Sequence, residues 1–312
     1  MEITAQESGR LNGPLESGMR PVPGFPDHAA IPMCYHVLVP VVREIISKSI
    51  LCKSGISDYC VNCYIGCLHG CAYCYARYMK RFTEHFEQWG QFVDIKINAP
   101  EVLEKEVKRR APGTVFVSSV CDGWQPAELK YQLTRRCLRL LIQAGFSVFA
   151  LTKSALVRRD FDILAASPNC SLGCTITTLD ELLRRELEPA ASPSEERFRT
   201  LEMACDKGIR VSANFAPLMP GLSDTDEALS EIFSRASEIP LAHINVDKLN
   251  PRPGVWNSLV QFLHRNRPDL IPFYRRLFFD TEAYREYVSE LGNRLRQVAA
   301  TMGVLERTGI GF

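Results

Sequence analysis

The sequence lacks an excess of either charge: 37 Lys and Arg stand against 36 Asp and Glu, a formal net charge of +1. A protein that relies on bulk electrostatic attraction to nucleic acid is ordinarily more basic, so only a local basic patch would support that class. It also lacks any apolar run near the roughly 18–20 residues of a membrane span, and no membrane association is expected. The first 32 residues carry early acids with Pro, Gly and Ser, and no apolar signal-peptide core. They read as a flexible lead-in to a cytoplasmic protein. No internal repeat of roughly 20–50 residues is evident. Twelve cysteines in 312 residues are too dilute for a small secreted disulfide scaffold.

What is present is a chain that is 46% hydrophobic and 23% charged, the balance of a globular protein with a sizeable core. The cysteines are unevenly placed. Cys52, Cys60, Cys63, Cys67, Cys71 and Cys74 fall within 23 residues, whereas Cys34, Cys121, Cys137, Cys170, Cys174 and Cys205 are scattered. Clustering points to a metal and scatter to core packing.

From about residue 59, short β-like runs alternate with amphipathic helical ones. Strands are expected at 59–64, 114–120, 147–152, 171–177, 210–215 and 243–247, with 92–98 as an extra strand or edge excursion. Helices are expected at 126–144, where Leu129, Leu133, Cys137 and Leu141 recur every four residues, and at 193–207. This βαβα order predicts a parallel sheet with outer helices. Six units suit a partial barrel, with its chemistry at the C-terminal strand ends. After Asn250 the pattern becomes helical, near 255–264, 272–279 and 282–302. The expected division is a lead-in with a helix over 1–55, a barrel over 56–250 and a helical cap over 251–312.

Cys67-Leu-His-Gly-Cys71-Ala-Tyr-Cys74 has the spacing CxxxCxxC. Thiolates are the ligands of iron–sulfur clusters, and three in eight residues can wrap one corner of a cube. Three ligands leave one iron open, a vacancy that the amino and carboxylate groups of S-adenosylmethionine can fill. Gly70 permits a positive φ and a close backbone approach to the cluster. The alternative is a zinc site of four thiols, drawn from Cys60-x-x-Cys63 and Cys71-x-x-Cys74, in a binding module without turnover. His69 reads as a loop side chain rather than a fourth ligand.

The stretch from Asn62 to Arg77, NCYIGCLHGCAYCYAR, resembles the cluster loop of the radical S-adenosylmethionine superfamily. Within it the chain looks like the family related to spore photoproduct lyase, the DNA repair photolyase-related proteins. Further stations are 79–82 (MKRF), 118–122 (SSVCD), 152–154 (TKS), 175–178 (TITT), 188–189 (EP), 217–221 (PLMPG) and 250–256 (NPRPGVW). The resemblance implies a partial (β/α)6 TIM-type barrel with a C-terminal helical extension. It implies one [4Fe–4S] cluster on Cys67, Cys71 and Cys74, and reductive cleavage of S-adenosylmethionine to a 5′-deoxyadenosyl radical that abstracts hydrogen. It also implies an electron donor such as flavodoxin or ferredoxin. The substrate is not given by the resemblance; the first reading, by family analogy, is a nucleic-acid lesion or modified nucleotide, and the runner-up is a peptide or small metabolite, which the near-neutral charge suits better.

The same resemblance places Tyr73 beside the adenine, Ser118 and Ser119 near the methionine amino end and Thr175 on the cofactor. Lys153 follows an apolar strand, so that its side chain points into the site, and the resemblance sets it against the methionine carboxylate. Asn214, polar within an apolar strand, is a candidate for a ribose hydroxyl. Tyr75 and Cys121 are candidates for returning hydrogen to the product radical. The family position for that thiol falls on Ser119, and Cys121 would share its face if the strand continues. Cys34, Cys52, Cys60 and Cys63 read as a second metal site or as spare thiols. The basic runs 108–110, 135–136, 158–159, 184–185 and 275–276 form a phosphate track only if several converge on the barrel mouth. Trp124 either lines that mouth or plugs a loop.

Overall fold

The computed structural model describes residues 39–312. Cys34 and most of the expected lead-in lie outside that range. The described part of that lead-in forms strands β1 (Val41–Ile45) and β2 (Cys52–Lys53); the helix expected there is not found among the described residues.

Six parallel strands make the main sheet in their order along the chain: β3 (Tyr59–Val61), β6 (Thr114–Val117), β7 (Ser147–Thr152), β8 (Cys170–Thr175), β9 (Arg210–Leu218) and β10 (His243–Lys248). β2 pairs antiparallel with β3 at one edge, and β11 (Thr308–Ile310) pairs parallel with β10 at the other. The two edges do not pair with each other, so among the described residues the barrel is open. Alternation along the strands fixes the faces. Val115 and Val117 of β6, and Val148 and Ala150 of β7, are buried in the hydrophobic core, while Phe116, Phe149 and Leu151 line the opposite, concave side.

The stretch at 59–64 is not one strand. β3 ends at Val61, and β4 (Tyr64–Ile65) leaves to pair with β5 (Phe92–Lys96), which also pairs with β1 in a separate three-stranded sheet. The extra strand near 92–98 therefore belongs to a second sheet beside the cysteine loop.

Outer helices follow as expected with one break. The run at 126–144 divides into α2 (Glu128–Tyr131) and α3 (Leu133–Gln143), because Gln132 takes a left-handed φ of 50°. The buried carboxylate of Glu128 accepts from the Thr134 and Arg135 amides at 3.0 and 3.1 Å, satisfying donors that open α3. Leu133, Cys137 and Leu141 are buried as the four-residue spacing predicts, but Leu129, on the far side of the break, is 64% exposed. In chain order, the other helices are α1 (Ala99–Val107), α4 (Phe161–Leu164), α5 (Glu181–Leu187), α6 (Ser194–Asp206), α7 (Asp226–Ser237), α8 (Pro253–Asn266), α9 (Ile271–Phe279) and α10 (Thr281–Thr301). The last three form the C-terminal helical extension. The chain then returns to the sheet as β11, a strand that the helical pattern hides.

Candidate functional site

A cavity of about 950 Å³ occupies the concave side of the sheet, near the upper end of the range for ligand sites. Cys67, Cys71 and Cys74 line it together with Lys153, Ser118, Ser119, Cys121, Thr175, Asn214, Tyr73 and Tyr75. The candidate cluster ligands, cofactor contacts and hydrogen donors thus all line one cavity.

The cysteine loop is fastened from three sides. Gln125, fully buried, accepts from the Leu68 amide at 2.9 Å and donates to the Gly66 carbonyl at 3.2 Å. The Ala72 amide donates to Leu187 O at 2.8 Å, and Ala190 N–H to His69 O at 3.3 Å. Gly70 has a φ of 66°, as expected. Its close backbone neighbour, however, is Gly90, where a Cβ would fall 2.7 Å from the Gly70 Cα. The glycine pair lets two loops touch. His69 is a loop tether: its imidazole Nδ1 lies 2.9 Å from Ala190 O and its Nε2 3.2 Å from Asp122 Oδ2.

Two buried carboxylates organise the surroundings. Asp122 accepts from the Thr152 hydroxyl, the Lys153 amide and the Trp124 amide at 2.7, 2.7 and 2.8 Å. Burial alone would raise its pKa, but His69 and these hydrogen bonds hold it at about 2. Glu188 accepts from the Tyr73 phenol, from Arg197 Nη2 and, at 2.9 Å, from the Thr177 hydroxyl. Burial opposes its charge too, yet Arg197 and Lys153 hold it at about 2. Sequence reading used Asp122 only as a landmark and left Glu188 inside a motif. Arg197, wholly buried, was invisible among the polar residues of a helix.

Lys153 follows β7, and its Nζ lies 5.8 Å from the Tyr73 ring centroid. That Nζ has no hydrogen-bond or ion-pair partner among the described residues. Burial disfavours its charge, but Cys71 and Glu188 outweigh this and leave its pKa raised. A cation held ready in a cavity suits an anionic ligand group. Thr175, Asn214 and Asn245 form a polar strip across three strands: Asn214 Nδ2 donates to Thr175 Oγ1 at 3.4 Å, and Asn245 Nδ2 to Asn214 Oδ1 at 2.5 Å.

Cys121 does not share a strand face with Ser119, because β6 ends at Val117 and Ser118 takes a φ of 79°. Cys121 nevertheless reaches the cavity from the loop, where its Sγ donates to Tyr64 O at 3.2 Å; burial pushes its thiol up to about 12. The Ser118 hydroxyl accepts from Gly123 N–H at 2.7 Å, the Ser119 hydroxyl from Asn62 at 2.8 Å, and the Tyr75 phenol donates to Ser119 O. Trp124 plugs a loop: it is fully buried and donates to Asp160 at 2.8 Å.

The remaining thiols lie apart from the loop. Cys63 Sγ sits 3.6 Å from Cys137 on α3, and Cys60 faces Cys52 across β2 and β3. Among the described residues no three His, Cys, Asp or Glu side chains converge as ligands of one ion would. Ligands of a cubane bind different irons and need no common point. The donor chemistry fits such a cluster: three free, largely buried thiols stand at one cavity wall. Burial pushes them up, Cys71 to about 12, a cost that metal charge would offset.

The basic runs do not make a phosphate track. Arg135, Arg158, Arg159 and Arg184 pair with Asp160, Glu196, Glu128 and Glu181 at 2.7–2.8 Å, and Arg276 lies 3.7 Å from Glu286. No helix among the described residues is long and apolar enough to cross a membrane.

An open parallel α/β sheet that gathers three thiols and an unpaired lysine at one cavity defines a scaffold for a thiolate-bound cofactor and an anionic ligand. The chain belongs to the radical SAM superfamily, whose sequence model matches residues 61–232. An uncharacterized protein of Methanocaldococcus jannaschii is 28% identical over 77% of this chain and 87% of its own length. One from Mycobacterium tuberculosis is 26% identical over 92% of this chain and 89% of its own. Among solved structures, spore photoproduct lyase complexed with dinucleoside spore photoproduct shares the fold, with a TM-score of 0.65 at 12% identity over 87% of this chain and 82% of that one. A variant of that lyase with bound AdoMet and dinucleoside spore photoproduct gives 0.64, also at 12% identity, over the same shares.

Proposed function

We propose that this protein is a radical S-adenosylmethionine enzyme that abstracts hydrogen from a compact substrate, a small metabolite or a peptide side chain, within the cavity. The observation that carries this reading is that Cys67, Cys71, Cys74 and Lys153, whose Nζ has no partner among the described residues, all line one cavity. Cys67, Cys71 and Cys74 would hold a [4Fe–4S] cluster, and together with S-adenosylmethionine it supplies a reductive cleavage that yields a hydrogen-abstracting radical.

The chain's own residues do the rest. Lys153 binds the methionine carboxylate and Tyr73 flanks the adenine, its phenol fixed by Glu188. Thr175 and Asn214 meet the ribose side of the cofactor, Ser118 and Ser119 its amino end. Cys121 holds a hydrogen within the cavity, with Tyr75 fixing the adjoining backbone. An electron donor such as flavodoxin or ferredoxin supplies the electron.

A second reading, a dinucleotide-sized nucleic-acid lesion, is favoured by the likeness in fold to spore photoproduct lyase. Arg135, Arg158, Arg159 and Arg184, ion-paired and none of them lining the cavity, speak for the compact substrate.

The test is anaerobic turnover with S-adenosylmethionine and a chemical reductant, following deuterium from labelled candidates into 5′-deoxyadenosine. Label arriving from small molecules or peptides supports the first reading, and label from dinucleotides the second. A protein that holds iron and sulfide yet never cleaves S-adenosylmethionine would overturn both.

A further inference from the structure

Two buried N–H groups flanking the cysteine loop, on Trp89 and Arg77, complete no hydrogen bond among the described residues. The indole of Trp89 is 7% exposed, and its Nε1 completes no hydrogen bond among the described residues. The Nε of Arg77 is likewise buried and unpartnered. An unpaired buried donor is costly, so two of them around one loop call for a ligand-side explanation.

Both are held in place by other contacts. Arg77 lies just past the loop in the 3-10 turn Tyr75–Phe82, and its Nη2 donates to the Cys71 carbonyl at 2.8 Å. Trp89 packs edge-on against Phe92, with ring centroids 5.9 Å apart. Its chain neighbour is Gly90, whose backbone lies against Gly70 of the loop. The glycine contact thereby sets Trp89 beside the cysteine loop. Cys74 packs against the buried cluster that contains Trp89.

We infer that Trp89 and Arg77 are positioning residues that donate to the sulfurs of a cluster bound by Cys67, Cys71 and Cys74, and so raise its reduction potential. This rests on the ligand assignment proposed above. A one-electron reduction adds negative charge to the cluster and its thiolates. N–H donors and a nearby cation stabilise that charge, and hydrogen bonds to sulfur are among the known determinants of cluster potential. The bare thiols leave these donors unpaired, whereas a bound, electron-rich cluster gives them acceptors.

The experiment is a redox titration of the reconstituted, anaerobic full-length protein without S-adenosylmethionine, with dithionite as electron source and electron paramagnetic resonance as readout. Trp89→Phe keeps the ring packing and removes only the N–H. It is expected to retain its iron while the ratio of reduced to oxidised cluster at a fixed potential falls about tenfold, a shift of about 59 mV to more negative values for a one-electron couple. Arg77→Gln should shift the same way, and Arg77→Lys should restore part of the loss through its charge. Should Trp89→Phe lose its cluster, the native protein in D₂O decides: exchangeable-proton coupling at the reduced cluster is expected, and its absence overturns the inference. Full iron content with an unmoved midpoint in both neutral variants overturns the donor role alone. A wild-type chain that binds no cluster overturns the ligand assignment and this inference together.

Discussion

The phenol of Tyr73 donates to the carboxylate of Glu188, 115 residues further along the chain, and Glu188 is in turn paired with the fully buried guanidinium of Arg197. Arg197 also donates to the Thr175 and Ser192 carbonyls at 2.8 Å. The aromatic residue of the cysteine loop, the end of β8 and helix α6 are therefore one buried polar unit.

Breaking that unit from one side should be expensive. Glu188→Ala leaves Arg197 buried without its carboxylate, and loss of one partner of a buried pair typically costs about 3–5 kcal/mol. Thermal unfolding of the variant should show a large fall in Tm. A change as small as that of an exposed pair such as Lys108–Glu104 would contradict the role given to it.

Acid should act through the same carboxylates. Asp122 and Glu188 are held at about 2, below their ordinary values of 3.8 and 4.5. Groups with depressed folded pKa contribute stability above the unfolded value and lose it as pH falls through the folded one. Stability should be flat from neutral pH to about 5 and decline between about 4.5 and 2. Glu188→Gln should soften that decline, as followed by circular dichroism.

Replacing Cys67, Cys71 and Cys74 together with Ala should abolish brown colour and reduce iron from about four per chain to none. Cluster absorbance surviving in the triple variant would remove the loop from the assignment. Stoichiometric zinc beside four irons would instead give Cys52, Cys60 and Cys63 a metal of their own.

Lys153→Ala should weaken S-adenosylmethionine binding by roughly 1.5–3 kcal/mol, the range for a hydrogen bond to a charged group, with iron content unchanged. Equilibrium binding measured anaerobically checks this; an unaltered Kd returns the lysine to a bystander role.

Cys121→Ala should change product distribution and the return of deuterium to the cofactor, because the thiol lines the cavity while its Sγ is anchored on Tyr64 O. Unchanged label return would end the hydrogen-donor reading.

Local pattern carried much of the architecture. The apolar run that becomes β7 was placed residue for residue at 147–152, and α6 within a residue at each end. Gln132 was missed because nothing in its residue type announces a left-handed φ inside an amphipathic run; the reason lies in Glu128, whose carboxylate caps the restarted helix. β11 is three residues long and exists only because β10 offers an edge. In the candidate site, thiol spacing and strand-end position single out Cys67, Cys71, Cys74 and Lys153, which line one cavity. The partners that fix them, Asp122, Glu188, Arg197 and Gln125, meet across tens of residues without periodic spacing. A buried arginine on a helix reads as a solvated one until its carboxylate is found.

The contact between Gly70 and Gly90 restricts which substitutions the chain can absorb. When a side chain grows into a crowded contact, a second change on the facing residue often relieves it, but position 70 is already glycine and has nothing to give up. Any residue larger than glycine at 90 would meet the Gly70 Cα at 2.7 Å and could be accommodated only by parting the two backbones, one of which carries Cys67 and Cys71. A change sixteen residues past the last loop cysteine, touching no thiol, would thus be inherited as a defect of the thiol loop, and no single compensating substitution at position 70 is open to rescue it.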